Sequence, residues 1–317
     1  MLNNLAFVLR PLAKTRLVRA TLACVGQATV GMLWAAPIIS GGTTGPASVS
    51  HPQRAQHAAQ AQRKAVDARI ASPDPAARYM DIAGFGSVAV YAPKNRARGL
   101  ALFASGDGGW NLGVREMAAT AAGLGYWVAG FDTPALLKTM TASDSACIDM
   151  AGALANLGTR VKASLNLPAD MRPLLIGYSS GATIDYAALV QAGDRRFSGA
   201  MSLGFCPDLV VHKPFCPGAG LSAHKPGGKK QMVVFDVAPA VHAPWIVLQG
   251  DIDQVCNPPK TIEFVNKVGN ASVVQLPHVG HGYGVPRNWM PQYQRGLMQL
   301  RDSGSPKATT VPDATLP

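Results

Sequence analysis

Several things are missing from this chain, and each absence narrows what it can be. No apolar run after residue 39 is long enough to cross a bilayer. No internal repeat occurs, so a solenoid or a propeller is not indicated. No Cys-x-x-Cys pair occurs, and although His212 lies within ligand spacing of Cys216, no second close pair completes a metal site. No Lys/Arg run longer than two stands beside aromatic residues, so nothing points to nucleic acid as a partner. No motif points to a metal or any other cofactor.

What is present fits a globular protein with a sizeable core. The 317 residues are 48% apolar, with mean hydropathy +0.10. The net charge is +11, from 29 basic and 18 acidic side chains. Four of the basic residues, Arg10, Lys14, Arg16 and Arg19, fall in an N-terminal stretch without an acid. Such a surface suits an anionic membrane, although ordinary solubility explains it equally well.

The first residues read as an export signal. Residues 1–19 are basic, Ala20–Ile39 is apolar or small, and Trp34-Ala35-Ala36 offers small residues near a cleavage point. Cleavage is favoured over an uncleaved inner-membrane anchor, and the residues before Cys24 make a poor lipoprotein signal. A periplasmic location is therefore expected. Residues 40–78 read as a flexible linker, 79–302 as the folded domain and 303–317 as a disordered tail. In an oxidising compartment the remaining cysteines, Cys147, Cys206, Cys216 and Cys256, are expected to form two disulfides. Proximity in sequence suggests Cys206–Cys216, which leaves Cys147–Cys256.

Within the domain, short apolar runs alternate with helical segments. Strands are expected at Ser87–Tyr91 (as an edge), Leu100–Ala104, Trp127–Phe131, Leu174–Ile176, Ala200–Leu203, Trp245–Leu248 and Val273–Leu276. Helices are expected at Val114–Leu124, Ile148–Ser164, Ala182–Gln191, Pro259–Val268 and Trp289–Arg301. This rhythm predicts an α/β domain with a mostly parallel sheet and helices on both faces. Residues 206–244 break it. They form an insertion after the strand that follows Leu174–Ile176, placed where a cap over a site can sit, with Cys206 and Cys216 expected to pin its base.

Parallel sheets carry their chemistry in the loops at the carboxyl ends of their strands. Three such loops matter here. The first is Gly177-Tyr178-Ser179-Ser180-Gly181, a strand-to-helix turn that lifts a serine to its apex. The second is Gly250-Asp251-Ile252-Asp253, and the third is Pro277-His278-Val279-Gly280-His281-Gly282. Serine, acid, histidine is the chain order of the α/β-hydrolase triad. Ser179 is the expected nucleophile, His281 the general base and Asp253 its orienting acid, with His278 and Asp251 as the rival base and acid. The backbone N–H of Ser180 is the expected first oxyanion donor. The second is expected from Asp107 or Gly108 in Ser105-Gly106-Asp107-Gly108-Gly109-Trp110. Tyr178 and Trp110 are candidate substrate-binding residues.

These loops also carry a family resemblance. Ser105-Gly106-Asp107-Gly108-Gly109-Trp110, Gly177-Tyr178-Ser179-Ser180-Gly181-Ala182 and Gly280-His281-Gly282 resemble the bacterial VirJ/AcvB family of exported α/β-hydrolase-like proteins. Residues 202–208, 249–256 and 286–291 resemble most the amino-terminal half of the two-domain AcvB proteins. The sequence departs where VirJ-like domains tend to have Phe at the place of Ser180 and His-His-Phe at that of Gly280-His281-Gly282. The resemblance implies the α/β-hydrolase fold, a periplasmic location, links to virulence and type IV secretion, and hydrolysis of lysyl-phosphatidylglycerol. An aminoacylated membrane lipid or another small ester is the expected substrate, with Asp107, Asp208 or Asp251 as candidate partners of its ammonium group. The alternative is a non-catalytic adaptor that binds components of a secretion system.

Overall fold

The structure is a computed structural model and describes residues 73–193, 196–228 and 231–304. The expected leader, most of the linker and most of the tail lie outside the described residues.

Eleven strands and six α-helices build the described part. Eight strands form the main sheet: β1 (Arg78–Ile82), β2 (Gly86–Tyr91), β3 (Gly99–Ala104), β4 (Tyr126–Phe131), β5 (Leu174–Tyr178), β6 (Gly199–Leu203), β10 (Trp245–Gly250) and β11 (Ala271–Leu276). Their spatial order is β1-β2-β4-β3-β5-β6-β10-β11. β1 pairs antiparallel with β2 and β2 antiparallel with β4, whereas every pairing from β4 to β11 is parallel. This is the α/β-hydrolase fold.

Two expectations about the sheet change. Ser87–Tyr91 belongs to β2, but β2 is not an edge, because β1 pairs with it from Gly86 to Val90. β1 reads Arg-Tyr-Met-Asp-Ile and is mostly exposed, so it lacks the apolar pattern that marks an inner strand. Order also begins before residue 79: the Asp74 carboxylate accepts a bond from the Tyr91 hydroxyl (2.8 Å) and caps Ala76 N–H (2.9 Å).

The helices are α1 (Leu112–Gly123), α2 (Thr133–Ala142), α3 (Met150–Ser164), α4 (Ser180–Ala192), α5 (Pro258–Val265) and α6 (Met290–Gly304). α1 and α6 cover one face of the sheet through Val114, Met117, Tyr293 and Leu297. α2, α3, α4 and α5 cover the other through Leu136, Leu154, Ile184 and Val265. α4 is buried from Ser180 to Gln191, so it has no polar face for a sequence pattern to reveal. α2 was not expected. Its start is nonetheless written in Asp132-Thr133-Pro134, an N-cap acid followed by proline in the first turn, and Asp132 Oδ1 accepts Ala135 N–H at 2.8 Å.

The insertion after β6 folds into a small antiparallel sheet of β7 (Asp208–Val210), β9 (Met232–Phe235) and β8 (Ala223–His224), in that spatial order. The cysteines pair as Cys147–Cys216 and Cys206–Cys256, correcting the expected Cys206–Cys216 and Cys147–Cys256. The physical reason lies in the path of the chain. Residues 214–216 run beside Ile148, where Ile148 N–H donates to Pro214 O (2.8 Å) and Cys216 N–H to Ile148 O (3.0 Å). Cys206 leaves β6 beside the end of β10, which brings it to Cys256. The insertion is thus fastened at two separate places on the domain, not closed on itself.

Candidate active site

Gly177-Tyr178-Ser179-Ser180-Gly181 links β5 to α4 with no spare residue. Ser179 takes φ 55° and ψ −123°, a left-handed backbone that a residue with a side chain adopts only under constraint. The constraint is visible in the flanking glycines. A Cβ on Gly177 would strike the backbone of Gly181, and a Cβ on Gly181 would strike the carbonyls of Ala104 and Ser105. Both glycines are therefore required by close backbone approach. The turn projects the serine from the carboxyl end of the sheet, and Ser179 N–H donates back to Leu203 O at 2.9 Å.

The second and third loops meet it there. Ser179 Oγ lies 2.8 Å from His281 Nε2, and His281 Nδ1 lies 2.9 Å from Asp253 Oδ2. His281 is partly buried, while the Asp253 side chain is fully enclosed. Burial works against the charge on Asp253, but bonds from His281 and from the N–H groups of Cys256 and Val255 outweigh it and hold the carboxyl below its ordinary range. The carboxylate therefore stays ionised beside the imidazole. It fixes the ring so that Nε2 faces Ser179.

The rival residues stand elsewhere. Asp251 is exposed in the turn and engages through its N–H to Leu276 O (3.1 Å). His278 is an exposed turn residue with φ 58°. Asp253, His281 and Cys256 present ligand-type atoms close together, but Cys256 is committed to its disulfide and the other two to each other, which does not suit a metal ion.

Gln249 and Gly204 support the triad without having been singled out in the sequence, and Tyr178, expected to bind substrate, gives its hydroxyl to the histidine loop. Gln249 is buried under the acid, and its Nε2 donates to Asp253 Oδ2 (3.3 Å) and Cys256 O (3.1 Å). Gly204, with φ +62°, leaves room for the imidazole: a Cβ there would sit 3.2 Å from His281 Cε1 and Nδ1. The Tyr178 hydroxyl donates to His281 O at 2.9 Å, and its ring lies 5.7 Å from the imidazole. Burial, then the charges of Asp253 and Asp107, push the Tyr178 phenol up, so it remains a neutral donor.

The loop after β3 flanks the serine from the other side. Gly106 packs directly on it, since a Cβ at Gly106 would lie 3.1 Å from Ser179 Cβ. Ser105 is buried; its Oγ accepts Thr133 N–H (3.0 Å), and Asp132 Oδ2 accepts Trp110 N–H (3.2 Å). The loop is thereby held to the start of α2. Among the described residues, neither Asp107 N–H nor Ser180 N–H has a protein acceptor. Gly108 is one residue further from the serine and gives its carbonyl to Asn111 Nδ2 (3.2 Å). Trp110 turns away from Ser179: its indole lies against Gly130 and packs edge-on to Phe103 at 5.6 Å. It acts as a wall of the core under the loop and does not stand at the substrate position expected for it.

A hydroxyl, an imidazole and an ionised carboxylate in hydrogen-bonded series can move a proton from serine to histidine. Two unpaired N–H groups beside the serine can receive negative charge developing on a carbonyl oxygen.

Compared by sequence, the chain matches no family model and no curated protein. Compared by structure, it is similar to the esterase Est1E from Butyrivibrio proteoclasticus at 14% identity and TM-score 0.48, over 72% of this chain and 99% of that one. It is similar to the esterase domain of a Rhodothermus marinus protein at 15% identity and TM-score 0.47, over 69% and 93%. It is also similar to the esterase Est2 of the planctomycete Thermogutta terrifontis at 14% identity and TM-score 0.49, over 74% and 95%.

Proposed function

We propose that this protein is a serine hydrolase that cleaves a carboxylic ester through an acyl-enzyme. The observation that carries the reading is the continuous series Ser179 Oγ–His281 Nε2 and His281 Nδ1–Asp253 Oδ2, presented on a strained turn. A binding scaffold has no physical need to enclose a carboxylate behind a histidine and to hold a serine at φ 55°.

In this reading Ser179 Oγ attacks the ester carbonyl while His281 Nε2 takes its proton. The N–H groups of Ser180 and Asp107 stabilise the oxyanion. Collapse expels the alcohol, which receives the proton from His281. Water then attacks the acyl-enzyme with His281 again as base, and the acid leaves as Ser179 recovers its proton. Asp253 remains ionised throughout and stabilises the imidazolium.

The finer reading follows the resemblance to the VirJ/AcvB family: an aminoacyl ester of phosphatidylglycerol, lysyl-phosphatidylglycerol above all, hydrolysed in the periplasm. Two disulfides favour an oxidising compartment. The net positive charge favours an anionic membrane as the place of work. Asp107, exposed in the loop whose Gly106 packs on Ser179, supports this reading as a candidate partner for the ammonium group. Lysine released from lysyl-phosphatidylglycerol vesicles tests this substrate. The expected result is release by wild type and none by Ser179→Ala. Release by neither, from protein that hydrolyses simple esters, rejects the lipid and keeps the hydrolase.

A further inference from the structure

A groove of about 500 Å³ opens beside the candidate site; no triad residue lines it, and it meets the oxyanion loop only at Asp107. One wall is α2, through Pro134, Leu137, Lys138 and Thr141. The other is the chain leaving β7, through Val210, Val211 and His212. Asp107 closes the inner end. That end adjoins the serine, because Gly106, the residue before Asp107, packs on Ser179 Cβ.

The α2 wall is fastened at both ends. The start of α2 is tied to the oxyanion loop through Asp132, whose carboxylate accepts Trp110 N–H and Ala135 N–H. Its far end is tied to the insertion by Lys213, whose Nζ donates to Met140 O (2.9 Å) and Ser143 O (2.6 Å). The Cys147–Cys216 disulfide holds the same end. From Pro134 to Ala142 the helix rises about 12 Å, at ~1.5 Å per residue. The groove is therefore an open cleft whose α2 wall is anchored at both ends.

Its lining combines three kinds of chemistry. Asp107 supplies a negative charge next to the serine. Leu137, Val210 and Val211 supply an apolar part, with Val210 66% exposed. Lys138 and His212 also line the groove, both exposed, and neither has a hydrogen-bond or ion-pair partner among the described residues. Lys213, by contrast, is spent on the end of α2.

We propose that this groove is the subsite for an apolar chain of the ester substrate and that Lys138 and His212 hold an anionic group on that chain. The proposal rests on Ser179 being the reacting residue and names its substrate class: an anionic amphiphile esterified close to a cationic or polar group that Asp107 receives. A phosphate or a carboxylate can supply the anion, and both are compared in the test.

Two measurements decide it. In the first, octyl phosphate, octanoate and the neutral octyl glucoside are titrated calorimetrically into the full chain carrying Ser179→Ala, with and without Leu137→Trp or Lys138→Glu. The expected result is a tenfold or greater loss of octyl phosphate affinity in Lys138→Glu and a loss for all three ligands in Leu137→Trp. Octanoate bound as tightly as octyl phosphate assigns the anion to a carboxylate as readily as to a phosphate. Equal affinities across the three proteins overturn the proposal whether or not the protein is an enzyme. In the second, the ratio of kcat/KM for p-nitrophenyl octanoate to that for p-nitrophenyl acetate is compared in active protein. The ratio is expected to fall at least tenfold in Leu137→Trp. An unchanged ratio in a protein that fluorophosphonate still labels at Ser179 rejects the groove and leaves the hydrolase reading standing.

Discussion

At the scale of the residue, Ser179 shows how much of the site is backbone work. Its φ of 55° persists because Gly177 and Gly181 admit carbonyls where any Cβ would collide. Gly181→Ala is expected to destabilise the fold by at least ~1–3 kcal/mol, as overpacking does, and to abolish activity; a chemical-denaturation midpoint within error of wild type would contradict this. Asp253→Asn keeps the shape but removes the charge behind His281 and presents the wrong hydrogen-bonding partner to Nδ1. The expected loss in kcat is on the order of 10³–10⁴-fold with little change in KM, measurable with any chromogenic ester. The sign of its pH effect is also set. Because the folded carboxyl is held below its ordinary range, Asp253 contributes stability above its unfolded value, and that contribution is lost as pH falls through the folded value. Ser179, Asp253 and His281 were legible because their chemistry ties each to a strand end, and strand ends can be read from apolar runs. Gln249 and Ser105 were not, since a single polar residue gains its role only when the fold supplies its partner.

At the scale of the element, the parallel strands were legible from short apolar runs, whereas exposed β1 and the short helix α2 lacked that signal. The disulfides teach a different lesson. Neighbours in sequence, Cys206 and Cys216, belong to opposite attachments of the insertion. Cys206–Cys256 closes a loop across 50 residues and holds the turn whose Cys256 N–H supports Asp253. Its removal by a Cys206→Ser/Cys256→Ser double variant is expected to cost about 2–5 kcal/mol and to lower kcat more than the matching Cys147→Ser/Cys216→Ser variant. Equal kcat in the two variants, each assayed well below its unfolding temperature, would show that the turn needs no such tie.

At the scale of the whole molecule, α4 is buried from Ser180 to Gln191 yet carries Asp185, whose two carboxylate oxygens are buried with no hydrogen-bond partner among the described residues. Burial pushes this carboxyl well above its ordinary range, so it is held neutral in the fold. The unfolded chain releases its proton near pH 4. The stability Asp185 permits is thus fully present below that value and declines as pH rises toward the folded value, by ~1.4 kcal/mol per pH unit. Asp185→Asn is expected to flatten this decline and to raise Tm at pH 8 more than at pH 5; an equal shift at both pH values would contradict the assignment. The central claim concerns the reacting serine, and one measurement addresses it most directly: labelling of the full, folded protein by a fluorophosphonate probe, with the adduct located by peptide mass spectrometry. The account predicts a single adduct on Ser179 that disappears in Ser179→Ala and falls steeply in His281→Ala. Folded wild-type protein that takes no label, or takes it at another serine, would contradict it.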